Sequence, residues 1–188
     1  MKALIHETFG DPADVLSVRD IDTPAPGPGE VLVRVKAAAV AKGDWLITRG
    51  LPYVARPMYG IRTPKQRVAG LEMAGVVEDL GAGVAGFDKG DEVLGFVDGG
   101  ALAEFVAAPA GQLVAKPAGL TFEQAAAIPV SGFAALQAVR DSGEVTGGNS
   151  VLIIGASGGV GSFAVQIAKA FGAEVTGVAG TRNLDLVR

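Results

Sequence analysis

Apolar and polar positions alternate along residues 30–40, where Val31, Val33 and Val35 share one face and Leu32, Arg34 and Lys36 the other. That period of two predicts a strand with one wetter face. Residues 2–6, 15–20, 73–80, 91–96 and 103–108 carry similar short apolar segments and are predicted strands. The loop Thr23-Pro24-Ala25-Pro26-Gly27-Pro28-Gly29 cannot be helix interior, and Asp88-Lys89-Gly90 marks a turn. Residues 44–49 suit a short helix. Residues 50–67, with Pro52, Pro57 and Pro64, read as a long loop of the kind that often carries function. Several short strands at this spacing predict a small β-barrel.

The pattern changes near Leu120. Thr121 and Gln124 have capping-box spacing, which starts a helix that runs to Pro129. Residues 132–141 read as a second helix. Residues 150–154 then read as a strand, 159–171 as an amphipathic helix, 174–179 as a strand, and a further helix starts near Asn183. Strand, helix and strand at this spacing form a βαβ unit. The boundary falls between Pro117 and Phe122, which gives a β-rich unit over 1–120 and an α/β unit over 121–188.

Charge narrows the partners. The net charge is −4, and the 16 Lys and Arg residues are scattered, which disfavours nucleic acid and anionic membranes. The chain has no Cys, so neither disulfides nor thiolate chemistry arise. The N-terminal Met1-Lys2-Ala3-Leu4-Ile5-His6-Glu7 lacks a signal-peptide core, and no apolar run reaches the roughly 18 residues of a membrane span. A cytoplasmic location is the expectation.

The chemistry concentrates in Gly155-Ala156-Ser157-Gly158-Gly159-Val160-Gly161, which follows the apolar strand Val151-Leu152-Ile153-Ile154 and opens a helix. Ala156-x-Gly158-x-x-Gly161 fits the dinucleotide fingerprint with Ala in the first place. Its glycines allow close approach of a pyrophosphate, and the helix start offers free N–H groups. The same residues fit G-x-S-x-G, with Ser157 as a nucleophile, but that fold needs a histidine after the serine. The only histidine is His6. The second strand of the βαβ unit ends Val178-Ala179-Gly180-Thr181-Arg182-Asn183, with no carboxylate for a ribose 2′-hydroxyl. Thr181 and Arg182 suit a 2′-phosphate instead, which favours NADP(H).

The glycine loop with Ala164-Val165-Gln166-Ile167-Ala168-Lys169, together with Gly70-Leu71-Glu72-Met73-Ala74-Gly75-Val76-Val77, Gly90-Asp91-Glu92-Val93 and Ala103-Glu104-Phe105-Val106, resembles the medium-chain dehydrogenase/reductase superfamily, most closely its zinc-free quinone oxidoreductase branch. The resemblance covers the whole chain. It implies a GroES-like β-barrel followed by the first part of a Rossmann doubly wound parallel sheet, with the substrate cleft between them. Zinc-dependent members carry a ligating Cys and His where Ala41 and Leu71 stand, so no metal site is expected. The zinc-free branch often has Asn-Pro in the early loop, and Ala41 replaces that Asn. Family members continue through further βα units, whereas this chain stops at Arg188, so it reads as an N-terminal portion.

The resemblance also implies hydride transfer from NADPH to a quinone, an enone or a related carbonyl. The cofactor contacts then fall on Ala156, Ser157, Gly158, Gly159, Val160, Gly161, Thr181, Arg182 and Asn183. Tyr53 and Tyr59 are the candidate proton donors, with packing of the cleft wall as their other reading. Asp44 orients the early loop or acts as an acid. Trp45 and Phe133 shape the cleft, and His6 is structural. An unpaired strand edge favours association, so a homo-oligomer is expected beside the small-molecule substrate. A nucleotide-binding module without turnover is the alternative.

Overall fold

The structure, a computed structural model, describes residues 1–187 and divides into two compact units, the first Met1–Pro129 and the second beginning at Val130. In the first, the period-two segments pair as an antiparallel sheet. Its elements are β1 (Lys2–Ile5), α1 (Pro12–Val15), β2 (Ser17–Asp20), β3 (Glu30–Ala39), α2 (Lys42–Thr48), α3 (Arg56–Tyr59), β4 (Glu72–Leu80), β5 (Glu92–Phe96), β6 (Phe105–Pro109), β7 (Leu113–Ala115) and α4 (Phe122–Ala126). The five-stranded sheet runs β6-β3-β4-β5-β7, and β1 and β2 form a separate antiparallel pair. Bridges from Ala3 to Ala103 and from Ile5 to Val68 tie β1 to the rest, and Lys2 N–H donates to Glu104 Oε2 at 2.7 Å.

β3 and β4 shift register between Leu32 and Val33 and again between Val35 and Ala37. Such bulges bend a strand and sharpen its twist, which wraps the sheet around its contents. Val31, Val33, Met73, Val77, Val93 and Val106 fill that interior. α4 adds a second, smaller core, with Ala125 and Ala126 against Ala74 and Leu94. This packing carries the first unit past the composition change at Leu120 to Pro129. Lys116 clips the approach to α4. Its nearly buried ammonium donates to Leu120 O at 2.7 Å and pairs with Glu92 at 3.0 Å.

Several elements differ from the sequence expectation. Val15 belongs to α1 rather than a strand, because Asp11 accepts from Ala13 N–H and Pro12 presets the first helical φ. The loop over 50–67 contains a 3₁₀ turn, Tyr53–Ala55, and α3, each started by a proline, Pro52 and Pro57. β7 was not foreseen, since three residues carry too little periodicity to read.

The second unit holds all but the first residue of α5 (Pro129–Leu136), extended by π-helical Gln137–Ser142, then β8 (Ser150–Ile154), α6 (Gly159–Ala170), β9 (Glu174–Val178), a 3₁₀ turn at Thr181–Asn183 and α7 (Leu184–Val187). β8 and β9 pair in parallel, with Ile154 opposite Val178. Ala135, Val139, Ala164 and Ala168 are the buried centre, joined by Ile153, Phe163 and Phe171. Alanine at these places lets the helices lie close to the sheet. The other sheet face leaves Leu152 62% and Ile154 78% exposed.

Met73 is fully buried at the centre of the first core. Met73→Ala is expected to cost about 2–5 kcal/mol of unfolding free energy, measured by chemical denaturation.

Candidate functional site

β8 ends in a turn that only glycine permits. Gly155 has φ 81°, in the left-handed region, and its N–H donates to Val178 O at 2.9 Å. Ala156 is completely buried, and its N–H reaches the same carbonyl at 3.0 Å. α6 then begins at once. A Cβ on Gly161 would sit 2.1 Å from Gly155 O, so the first turn of the helix rests directly on the strand-end backbone. Gly158 is the N-cap and gives no side-chain cap. The first N–H groups of α6 therefore face outward without helical partners, at the positive end of the helix dipole, roughly half an elementary charge.

The segment after β9 closes this loop from the other side. Asn183 Nδ2 donates to Ser157 Oγ at 3.2 Å. Thr181 and Arg182 lie exposed on the same 3₁₀ turn, and Arg182 makes no ion pair among the described residues. The structure thus ties the glycine loop to the 3₁₀ turn at residues 181–183 through the bond from Asn183 to Ser157. Ser131, at the start of α5, was missed by sequence reasoning. Its Oγ would lie 3.0 Å from a Cβ on Gly159, so it borders the same loop. The small pair Ser131-Gly132 just after a proline was its only signal. Ser157 has Asn183 as its side-chain partner, and His6 belongs to the first unit.

In the first unit, Asp44 sits at the third position of α2 and is 7% exposed. Ala41, at the N-cap, has no side-chain acceptor; instead Asp44 Oδ2 accepts the Ala41 N–H at 2.8 Å and ties the loop to the helix. Burial raises the Asp44 pKa, opposed by the backbone amides of Ala41, Asp44 and Leu71. Leu71 Cδ1 would lie 3.3 Å from a Cβ on Gly43, so apolar packing joins these two loops. Tyr53 is 70% exposed, with the Arg56 guanidinium 4.8 Å from its ring. Tyr59 ends α3 half-buried, and its carbonyl accepts from Lys65 N–H at 2.7 Å. Trp45 lies between Lys42, 3.7 Å from its ring, and Arg49 at 4.8 Å.

A small cavity of about 20 Å³ lies beside Asp44, lined also by His6, Thr48, Gln66, Leu71 and Asp98. Neither tyrosine lines it. His6 is 2% exposed, and burial lowers its pKa below the ordinary 6.5, opposed by the nearby backbone of Gln66 and Thr8. Sequence reasoning placed His6 in the first strand; it lies one residue beyond β1.

Comparison with known proteins agrees with both halves. Residues 27–118 match the family described as "Alcohol dehydrogenase GroES-like domain". A chloroplastic quinone-oxidoreductase homolog of Spinacia oleracea is 35% identical, over all of this chain and 58% of its own length. The quinone oxidoreductase of Homo sapiens is 39% identical over 97% of this chain and 54% of its own. Among solved structures, the quinone oxidoreductase from Coxiella burnetii superposes with a TM-score of 0.87 at 33% identity, covering all of this chain and 59% of that one. The CurK enoyl reductase superposes with a TM-score of 0.90 at 27% identity, covering 99% of this chain and 56% of that one. The chain therefore spans somewhat over half the length of these relatives. The fold is a GroES-like domain followed by the start of a Rossmann-like sheet.

Gly161→Ala is expected to destabilise the second unit, because its methyl cannot coexist with Gly155 O. Thermal unfolding checks this. Folding stability should also respond to pH through two groups of opposite sign. With His6 depressed in the folded state, the unfolded chain takes the proton first, and stability falls as pH drops through 6.5 toward the folded value. With Asp44 raised, the folded state takes the proton first, and stability is regained as pH drops from the folded value toward 3.8. Denaturation curves of the wild type and His6→Asn across this range check both signs, since the first component should vanish in the variant.

Proposed function

Because the chain belongs to the medium-chain dehydrogenase/reductase superfamily, among its quinone oxidoreductase-like members, we propose that it is an oxidoreductase, or the N-terminal portion of one, that binds NADPH and delivers hydride to a quinone, an enone or a related carbonyl. The observation that carries the cofactor half of this reading is the contact of α6 with Gly155, which leaves no room for a side chain at Gly161 and presents bare amides. The amides of Gly159, Val160 and Gly161 would hold the pyrophosphate beside Ser157, and Thr181, Arg182 and Asn183 the adenosine 2′-phosphate. The names of the relatives, quinone oxidoreductases and an enoyl reductase, support acceptors with an electron-poor double bond.

When bound, the dihydronicotinamide supplies the hydride. The protein's own task is orientation and a proton. A phenol, Tyr53 or Tyr59, donates a hydrogen bond or proton through Oη to the oxygen on which charge develops. Asp44 is better suited to positioning than to acid chemistry, since one of its oxygens is already committed to the Ala41 amide. Ala41 and Leu71 have no atoms able to ligate zinc, which supports a reaction without Lewis-acid metal.

NADPH fluorescence titration followed by turnover against quinones and enones tests the reading. Binding with oxidation of NADPH is the expected result; binding without turnover favours the nucleotide-binding module; absence of binding overturns the proposal. Arg182→Ala should weaken NADPH about tenfold or more while leaving NADH nearly unchanged, the signature of a lost phosphate contact.

A further inference from the structure

The cavity beside Asp44 has an unmet requirement. His6 Nδ1 and Asp44 Oδ1 are both buried and have no hydrogen-bond partner among the described residues. Both side chains line the same small, partly open space of about 20 Å³. A buried polar atom left bare is costly, whereas a cavity of that size with polar walls takes one water molecule. An apolar void of the same volume would stay empty, but Thr48, Gln66 and Asp98 add further polar groups to this wall.

We propose that a single water resides in this cavity, bridges His6 Nδ1 to Asp44 Oδ1, and couples the two side chains so that they titrate as one unit. One water serves both protonation states. With a neutral imidazole, it donates one hydrogen to Nδ1 and the other to Oδ1. When a proton is added at Nδ1, the new N–H donates to the water oxygen, and the water continues to donate to Oδ1. The opposite burial shifts of histidine and carboxylate bring the two groups closer in proton affinity, which favours sharing. Asp98 is the third ionisable group on the wall, and Glu7, Arg67 and Glu72 belong to the adjoining segments. The bridge links residue 6 to residues 44–48 across a wall that residues 66–71 also line, so His6 acts on the early loop as a positioning residue through Asp44. This inference is independent of the oxidoreductase reading.

His6 is the only histidine in the chain, so its titration is read without overlap. The test combines a high-resolution crystal structure of the wild-type chain with ¹⁵N and ¹³C NMR titration. Density for one water within hydrogen-bond distance of both atoms is expected. Asp44→Asn, which keeps a side-chain oxygen for the Ala41 amide, should shift the His6 midpoint downward, because the carboxylate no longer favours the imidazolium. In the wild type, the Asp44 carboxyl carbon should show a step at the His6 midpoint, a readout that survives if the variant fails to fold. An empty cavity, an unchanged His6 midpoint in the variant, or an Asp44 signal blind to His6 would overturn the proposal.

Discussion

The contact between Gly161 and the carbonyl of Gly155 is the constraint on which the second unit depends. A methyl group there would lie 2.1 Å from that oxygen. Because it is absent, α6 can start directly above the end of β8, and its unpaired amides converge on the turn instead of pointing past it. The left-handed Gly155 and the buried Ala156 follow from the same close approach, since the chain must reverse within two residues while both amides reach Val178 O. The alanines at 164 and 168 extend the economy of space along the helix.

The first unit solves a different problem, that of holding irregular loops on a bent sheet. It does so with buried polar groups rather than glycine contacts alone. Asp44 replaces the missing N-cap side chain at Ala41, Lys116 gathers the carbonyls ahead of α4, and Glu72 begins β4 in a buried position. Polar anchors of this kind fix a loop to one conformation more sharply than apolar contact, because each misplacement leaves a group unsatisfied.

Much of this was legible in the sequence, for reasons that differ by element. β3 declared itself through strict alternation, and the glycine loop through its place between an apolar strand and an amphipathic helix. α1 was hidden because Val15 extends the apolar run of β2, although Asp11 followed by Pro12 carried the helix-start signature. The short helices between Pro52 and Tyr59 are single turns, too brief for a periodic signal. The link from Asn183 to Ser157 joins two named candidates whose contact spacing alone does not reveal. The His6–Asp44 cavity was beyond sequence reading, since its walls come from four distant stretches of chain.

The bridges of β1 have a consequence for the order in which the protein is made. Ala3 pairs with Ala103, and Leu4 N–H donates to Leu102 O, so the partners of this strand are separated from it by most of the first unit. At about 5–20 residues per second, a ribosome completes β1 on the order of 5–20 s before those partners exist. Until Val68, the bridge partner of Ile5, has been made, the strand has only β2 to pair with, and the β1–β2 pair waits as a local structure. β8, α6 and β9 close within a short stretch of chain and face no such delay.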